Sequence, residues 1–204
     1  MKKLEGWCAE NNLELNVKKT KEVIVDTRKI KSQLTPLVIN NQVVEQVDSF
    51  KFLGTTISNS LTWDEHCAIT HRKAHQRLHF LRQLKKFRAK QSMLLQLYRA
   101  TVESILTFSI TVWYGNTSVE DRSRLQKVIN AAEKIVGCRL PSLDSLYTQR
   151  ATRRVNKIVA DTSHPAHSLF DTLPSGRKLR SIPARTERLR KSFFPSAVRL
   201  FNGS

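Results

Sequence analysis

The chain is poor in the residues that staple or break small folds. Its 204 residues include three cysteines, six glycines and six prolines. Cys8, Cys67 and Cys138 are far apart and odd in number, so neither a disulfide framework nor a zinc ribbon is encoded. So little glycine and proline excludes a collagen-like or low-complexity chain. Long apolar runs are missing too. The longest uncharged stretch, Ser104 to Val119, is broken by Ser, Thr, Gly and Asn, too short and polar for a membrane span. The start, Met1-Lys2-Lys3-Leu4-Glu5, lacks the apolar stretch of a signal peptide. Lys2 rather than Gly follows Met1, and the chain ends Asn202-Gly203-Ser204, so no acylation signal is present. A reduced, intracellular setting, cytoplasmic or nuclear, is expected. No complete catalytic set is present: there is no adjacent aspartate pair, GxSxG, Rossmann glycine fingerprint or HxD.

What the chain does have is a core's worth of apolar residues, 40%, and a net charge of +18. The charge is regional. Residues 1–66 carry nine Lys/Arg and nine Asp/Glu, and residues 103–138 four of each. Residues 67–102 carry nine basic residues and no acid, and residues 139–204 carry thirteen against four. The excess therefore sits in two blocks flanking a balanced one. Like charges concentrated this way repel one another and weaken the compact state, which points to a polyanionic partner. Nucleic acid is the first expectation, and an anionic membrane surface or acidic protein is the alternative.

The periodicity predicts a mixed beginning and a helical remainder. Residues 2–12 read as a short amphipathic helix with Leu4, Trp7 and Cys8 on one side, and Val23-Ile24-Val25 as a strand. Leu37 to Val44 reads as a hairpin turning at Asn40-Asn41, and Phe50 to Ile57 as a strand with a bulge at Gly54. Helical spacing follows from Asp64 to about Lys86 through Ile69, Ala74, Leu78, Leu81 and Leu84. It resumes from Gln91 to about Phe108 through Leu94, Leu97/Tyr98, Val102 and Ile105. A third helix is bounded by an N-cap at Ser118 and a stop at Gly137, and residues 142–160 suit another basic helix. Pro165, Pro174, Gly176, Pro183 and Pro195 argue against a long helix in the tail. The fold class is α+β, mainly α.

The basic side chains in these blocks are the candidate phosphate contacts: Arg72, Lys73, Arg77, Arg82, Lys85, Lys86, Arg88 and Lys90 in the first, and Arg177, Lys178, Arg180, Arg185, Arg188, Arg190 and Lys191 in the second. Phe80, Phe87 and Tyr98 are interleaved with them. Such rings stack bases in some binders, but the helical spacing of Phe87 and Tyr98 favours a core role. His71, His75 and His79 share one helical face, and with no carboxylate or HExxH beside them no metal site is expected. Leu173 to Arg180 lacks the spacing of a phosphate-cradling loop and reads as a turn with basic flanks.

Several motifs in order carry a resemblance. Leu13-Glu14-Leu15-Asn16-Val17-Lys18-Lys19-Thr20-Lys21, Phe50-Lys51-Phe52-Leu53-Gly54, Leu61-Thr62-Trp63, Trp113-Tyr114-Gly115-Asn116, Asp161 to His167, Leu173 to Arg177 and Ser192 to Arg199 together resemble the final part of a non-LTR (LINE-type) retrotransposon reverse transcriptase. The resemblance implies a palm end in residues 1–66, a helical thumb in 67–140 and a basic nucleic-acid-binding extension in 141–204. It implies RNA, DNA or an RNA–DNA hybrid as partner. Lys19 matches the palm lysine that protonates departing pyrophosphate, with Lys18 an equally close candidate. The full polymerase family uses Mg, held by aspartates that precede the helix around Trp7. This chain, read from Met1, is expected to need an upstream polymerase part and not to synthesise polymer alone.

A second, shorter resemblance runs from about Phe108 to Gly137 and is similar to the N-terminal segment of the eighth AlkB homologue, a tRNA-modifying protein. That family implies dioxygenase and methyltransferase chemistry with Fe, 2-oxoglutarate and S-adenosylmethionine. None of its functional residues is matched here, and no cofactor is expected for this chain.

Overall fold

A computed structural model of the chain describes residues 2–26, 28 and 34–203. They divide into two compact units, Met1–Glu65 and His66–Ser204.

The first unit is held by short elements. Helix α1 (Lys2–Glu10) ends where Asn12 takes a positive φ of 54° and the Leu13 amide donates back to the Cys8 carbonyl at 2.8 Å. Of its expected apolar side only Cys8 is buried, while Leu4 and Trp7 are exposed. The strand expected at Val23–Val25 lies earlier. Strand β1 (Lys21–Glu22) pairs in parallel with a later two-residue strand, and Lys21 ion-pairs with Glu45 there. Strands β2 (Val38–Ile39) and β3 (Gln42–Val43) form the expected hairpin, with Asn40 and Asn41 at φ 48° and 59°, as a type I′ turn requires. Strand β4 (Glu45–Gln46) is the partner of β1. The expected single strand from Phe50 to Ile57 is instead two, β5 (Ser49–Phe52) and β6 (Thr55–Ser58), reversed through Leu53 and Gly54. Both turn residues have positive φ, 45° and 87°. Leucine is a poor residue for that region, so only half of the turn carried a sequence signal. Among the described residues no sheet exceeds two strands. Ile39, Val44 and Cys8 supply the buried apolar side chains.

The second unit opens with helix α2 (Asp64–Lys86), which occupies the span the spacing predicts. It buries Cys67, Thr70, Ala74, Leu78 and Leu81 along one stripe, with His66 beside them. The helix expected over Gln91 to Phe108 is present but not uniform: α3 (Gln91–Tyr98) runs into a π turn (Arg99–Glu103) and then α4 (Ser104–Leu106). The reason lies in the spacing of its buried residues, Leu94, Tyr98, Val102 and Leu106, which recur every four. In an α-helix each four-residue step overshoots a full turn by about 40°. The wider π turn absorbs that drift and keeps all four on one face. Leu106, not the expected Ile105, is the residue buried at the end.

Ser109, at φ 48°, turns the chain into α5 (Ile110–Trp113), and the Trp113 Nε1–H donates to the Phe108 carbonyl at 2.9 Å. Helix α6 (Val119–Val136) carries both expected signals. The Ser118 Oγ accepts from the Asp121 amide at 3.1 Å, and Gly137 closes the helix at φ 81°. Helix α7 (Leu143–Ala160) is capped by Ser142 in the same way. The tail then forms a turn at Gly176 closed by the Thr172–Leu179 bridge, followed by α8 (Glu187–Lys191) and α9 (Phe193–Asn202). A closing ten-residue helix was not expected from so many breakers. Pro195 is tolerated because it sits in the first turn, where a backbone N–H has no intrahelical acceptor.

Residues 67–140 and 141–204, separate regions on the sequence reading, share this unit. Helix α7 packs on α5 and α6, and α9 packs on α7. Val155 and Ile158 of α7 join Phe170, Leu179, Ala197 and Val198 in a cluster that anchors the tail. Asn202 fixes the turn to α9 by bonding both the amide and the carbonyl of Leu179, at 2.8 and 2.9 Å.

Candidate nucleic-acid interface

With one stripe of α2 buried, its cations are driven outward. Arg72, Lys73, Arg77, Arg82, Lys85 and Lys86 are exposed, as are Arg88 and Lys90 just beyond the helix. Their arrangement is not random. Residues 72, 75, 79, 82 and 86 recur at spacings of three and four, so Arg72, His75, His79, Arg82 and Lys86 share one face. That face runs about 21 Å along the helix at 1.5 Å per residue. His71 stacks on His75 with ring centroids 5.8 Å apart, and burial with the neighbouring His75 and Arg124 lowers its pKa. Lys73 and Arg77 lie on the other flank beside Phe80, and the Arg77 guanidinium stands 5.8 Å from the Phe80 ring. Among the described residues none of these eight Lys and Arg side chains is in a salt bridge.

Two of the eight also have local duties. Lys85 Nζ lies 3.9 Å from where a Cβ of Gly137 would be, beside the negative end of α6. Gln91 completes that end by donating to the carbonyls of Val136 at 3.3 Å and Gly137 at 2.9 Å. Arg88 is the left-handed residue that ends α2, at φ 55°, and the Ala89 amide reaches back to the Leu84 carbonyl. The aromatic assignments divide. Tyr98 is fully buried, but Phe87, expected in the core, is 80% exposed because α2 has ended before it.

In the tail, Arg177, Lys178 and Arg180 surround the pinned turn, and all three are exposed together with Arg185, Arg188, Arg190 and Lys191. Arg190 and Lys191 both ion-pair with Glu187, which holds that carboxyl below its ordinary range. The two basic blocks differ in that respect: the first has no internal counter-charge and the second does.

Sequence reasoning missed part of the basic surface. On helix α7, Arg150 and Arg154 stay exposed but are engaged within the protein, donating to the Thr107 carbonyl at 2.8 Å and the Thr111 hydroxyl at 3.1 Å. Arg153 and Lys157, four apart, point outward and line an open groove with Gln149 and Asn156. That spacing was the available signal.

Lys19 belongs to the first unit and is exposed at the end of the short 3₁₀ turn Val17–Lys19, its amide bonded to Asn16 Oδ1 at 3.1 Å. Lys18 lines a small cleft with Glu14, Asn16, Asn40 and Gln42. No group of three or more His, Cys, Asp or Glu that could hold a metal ion stands together among the described residues. Among the described residues, no helix is long and apolar enough to cross a membrane.

The family model described as "Alkylated DNA repair protein alkB homolog 8, N-terminal" matches residues 63–104, which are α2, α3 and the π turn. That is upstream of the 108–137 stretch expected to carry the likeness. No solved structure matches the chain. The chain spans 15% of the length of the curated relative it matches, the probable RNA-directed DNA polymerase from transposon BS of Drosophila melanogaster. Over 137 residues, 65% of its own length, it is 27% identical to that protein and is thus similar to a transposon reverse transcriptase.

Proposed function

We propose that the second unit binds RNA, DNA or an RNA–DNA hybrid without reading sequence, as the strand-holding part of a transposon-type reverse transcriptase. One observation carries this reading: the face of Arg72, Arg82 and Lys86 on α2, flanked by further cations and free of any carboxylate beyond Glu65 in the helix. Exposed Lys and Arg contact phosphates and leave base edges unread. The likeness to the transposon polymerase supports nucleic acid as the polyanion. The family-model match falls on the same helices. Lys19 is retained as the remnant of a proton donor. On this reading it works only with an Mg-binding polymerase part supplied from outside the chain described here.

The test compares a labelled RNA–DNA hybrid, its all-DNA and all-RNA counterparts, and anionic vesicles, each titrated with the full chain. Binding to all three nucleic acids, insensitive to sequence and tighter than to vesicles, is expected. Binding to vesicles alone would refute the reading.

A further inference from the structure

A second cationic feature lies away from the α2 face. Five elements converge on a cavity of about 340 Å³: Gly115 from the 3₁₀ turn Tyr114–Asn116, Arg122 of α6, Tyr147 of α7, Lys191 at the end of α8, and Ser196 and Arg199 of α9. Three cations and no carboxylate line it.

The two guanidiniums are fixed before any ligand arrives. Arg122 Nη2 donates to the carbonyls of Tyr114 at 2.9 Å and Gly115 at 3.0 Å, and its guanidinium carbon sits 4.6 Å from the Tyr114 ring centroid. Its Nε–H is buried with no acceptor in the protein. Arg199 Nη2 donates to the Arg190 carbonyl at 2.7 Å and to Ser196 Oγ at 3.1 Å, which leaves the rest of its fork unengaged. Burial raises the Tyr147 pKa, so its hydroxyl remains a donor at neutral pH. The counter-charges stand at the edge: Asp144 is 3.8 Å from Arg122 Nη1, and Glu187 is 3.2 Å from Lys191 Nζ. They offset part of the positive charge and leave the Arg199 fork unpaired.

The close fit of the backbone here depends on Gly115. A Cβ on that residue would stand 2.3 Å from the Lys191 carbonyl oxygen and 3.2 Å from the Tyr147 hydroxyl. Only glycine lets the end of α8 come this near, and that approach brings Lys191 and α9 over Arg122.

We propose that this cavity is a phosphate site. The guanidinium N–H groups left over on Arg122 and Arg199 suit a phosphate's oxygens, and the Lys191 ammonium and Tyr147 phenol complete the donor set, the Ser196 hydroxyl being spent on the Arg190 carbonyl at 3.2 Å. The volume exceeds that of the bare ion and admits the sugar that carries it. The inference rests on the nucleic-acid reading for the source of the phosphate, which is either the terminal monoester of a strand or an internal diester.

The first experiment measures inorganic phosphate binding to the full chain by isothermal titration calorimetry, at constant ionic strength held with chloride. Saturable binding is expected, weakened at least tenfold by Arg199→Gln and also weakened by Lys191→Gln, with both variants' thermal melts showing that they fold. An α2 variant, R72Q/R82Q/K86Q, should bind phosphate as the unaltered chain does. No saturable binding, or equal binding by R199Q, K191Q and the unaltered chain, overturns the site. Phosphate binding that persists in a chain without affinity for any nucleic acid would overturn the proposed function and leave the site standing. The second experiment uses one DNA sequence with a 5′-phosphate or a 5′-hydroxyl. A preference for the phosphorylated strand that R199Q abolishes assigns the site to a terminal monoester. Equal weakening of both strands by R199Q assigns it to an internal diester.

Discussion

Tyr98 offers a prediction whose sign runs against the usual rule that core substitutions destabilise. Its side chain is fully buried at the end of α3, and its hydroxyl oxygen has no hydrogen-bond partner. Burial, with Glu103 and Glu133 nearby, raises its pKa, so the group stays a neutral phenol. In the unfolded chain the same hydroxyl is hydrated, and leaving it unpaired in the fold costs about 1–3 kcal/mol. Phenylalanine keeps the buried ring and removes the unpaired atom. Removing that oxygen leaves a small void that offsets part of the gain. We therefore expect Tyr98→Phe to stabilise the second unit by about 1 kcal/mol, raising its melting temperature by about 3–4 °C for a unit of this size. Urea and thermal unfolding monitored through Trp113, which is buried in the same unit, provide the assay. Tyr98→Leu, which loses the ring, should destabilise. A Y98F protein less stable by 1 kcal/mol or more would show that the hydroxyl makes a bond in the fold and would refute the reasoning.

His66 is buried against Trp113, ring centroids 5.2 Å apart, and its pKa is lowered first by burial and then by Lys73. The unfolded chain binds that proton more readily, so the stabilisation is complete above a pH of about 6.5 and is lost as pH falls toward the folded-state value. His66→Gln should flatten the stability profile between pH 7 and 5 in urea titrations, and an unchanged profile would contradict this. Ser118→Ala should cost about 1 kcal/mol through loss of the α6 cap, and Gly137→Ala about 1 kcal/mol or more through its left-handed φ, both read by denaturant midpoint. Among the thiols, Cys8 and Cys67 are buried and Cys138 half-buried, so a maleimide should label Cys138 first under native conditions, as peptide mapping can check. Equal labelling rates for all three would show that the two cores open freely.

Helix α6 was legible because three independent signals coincided: a serine cap, an apolar stripe and a glycine in the position that needs positive φ. Helix α2 was legible for a related reason, since its long period-3.6 stripe has no competing breaker. The π turn was harder to see. Leu94, Tyr98 and Val102 at four-residue intervals fit an α-helix over one step, and only the extension to Leu106 exposes the drift. The first unit misled because two-residue strands carry almost no periodicity, and because Leu53 occupies a turn position that usually announces itself with Asn or Gly. The exposed cations of the interface were readable from charge alone. The cavity around Arg122 and Arg199 was not, because it is assembled from five segments between residues 115 and 200 that only packing brings together.

The central claim is that the Arg72, Arg82 and Lys86 face of α2 holds nucleic-acid backbone. Anisotropy of a labelled RNA–DNA primer–template, titrated with the full chain at several salt concentrations, tests it directly. Each phosphate contact contributes about 0.7 to 0.9 to the slope of log affinity against log salt. The account predicts a steep slope that R72Q/R82Q/K86Q makes shallower by about 2–3. A slope identical in the variant and the unaltered chain would contradict it.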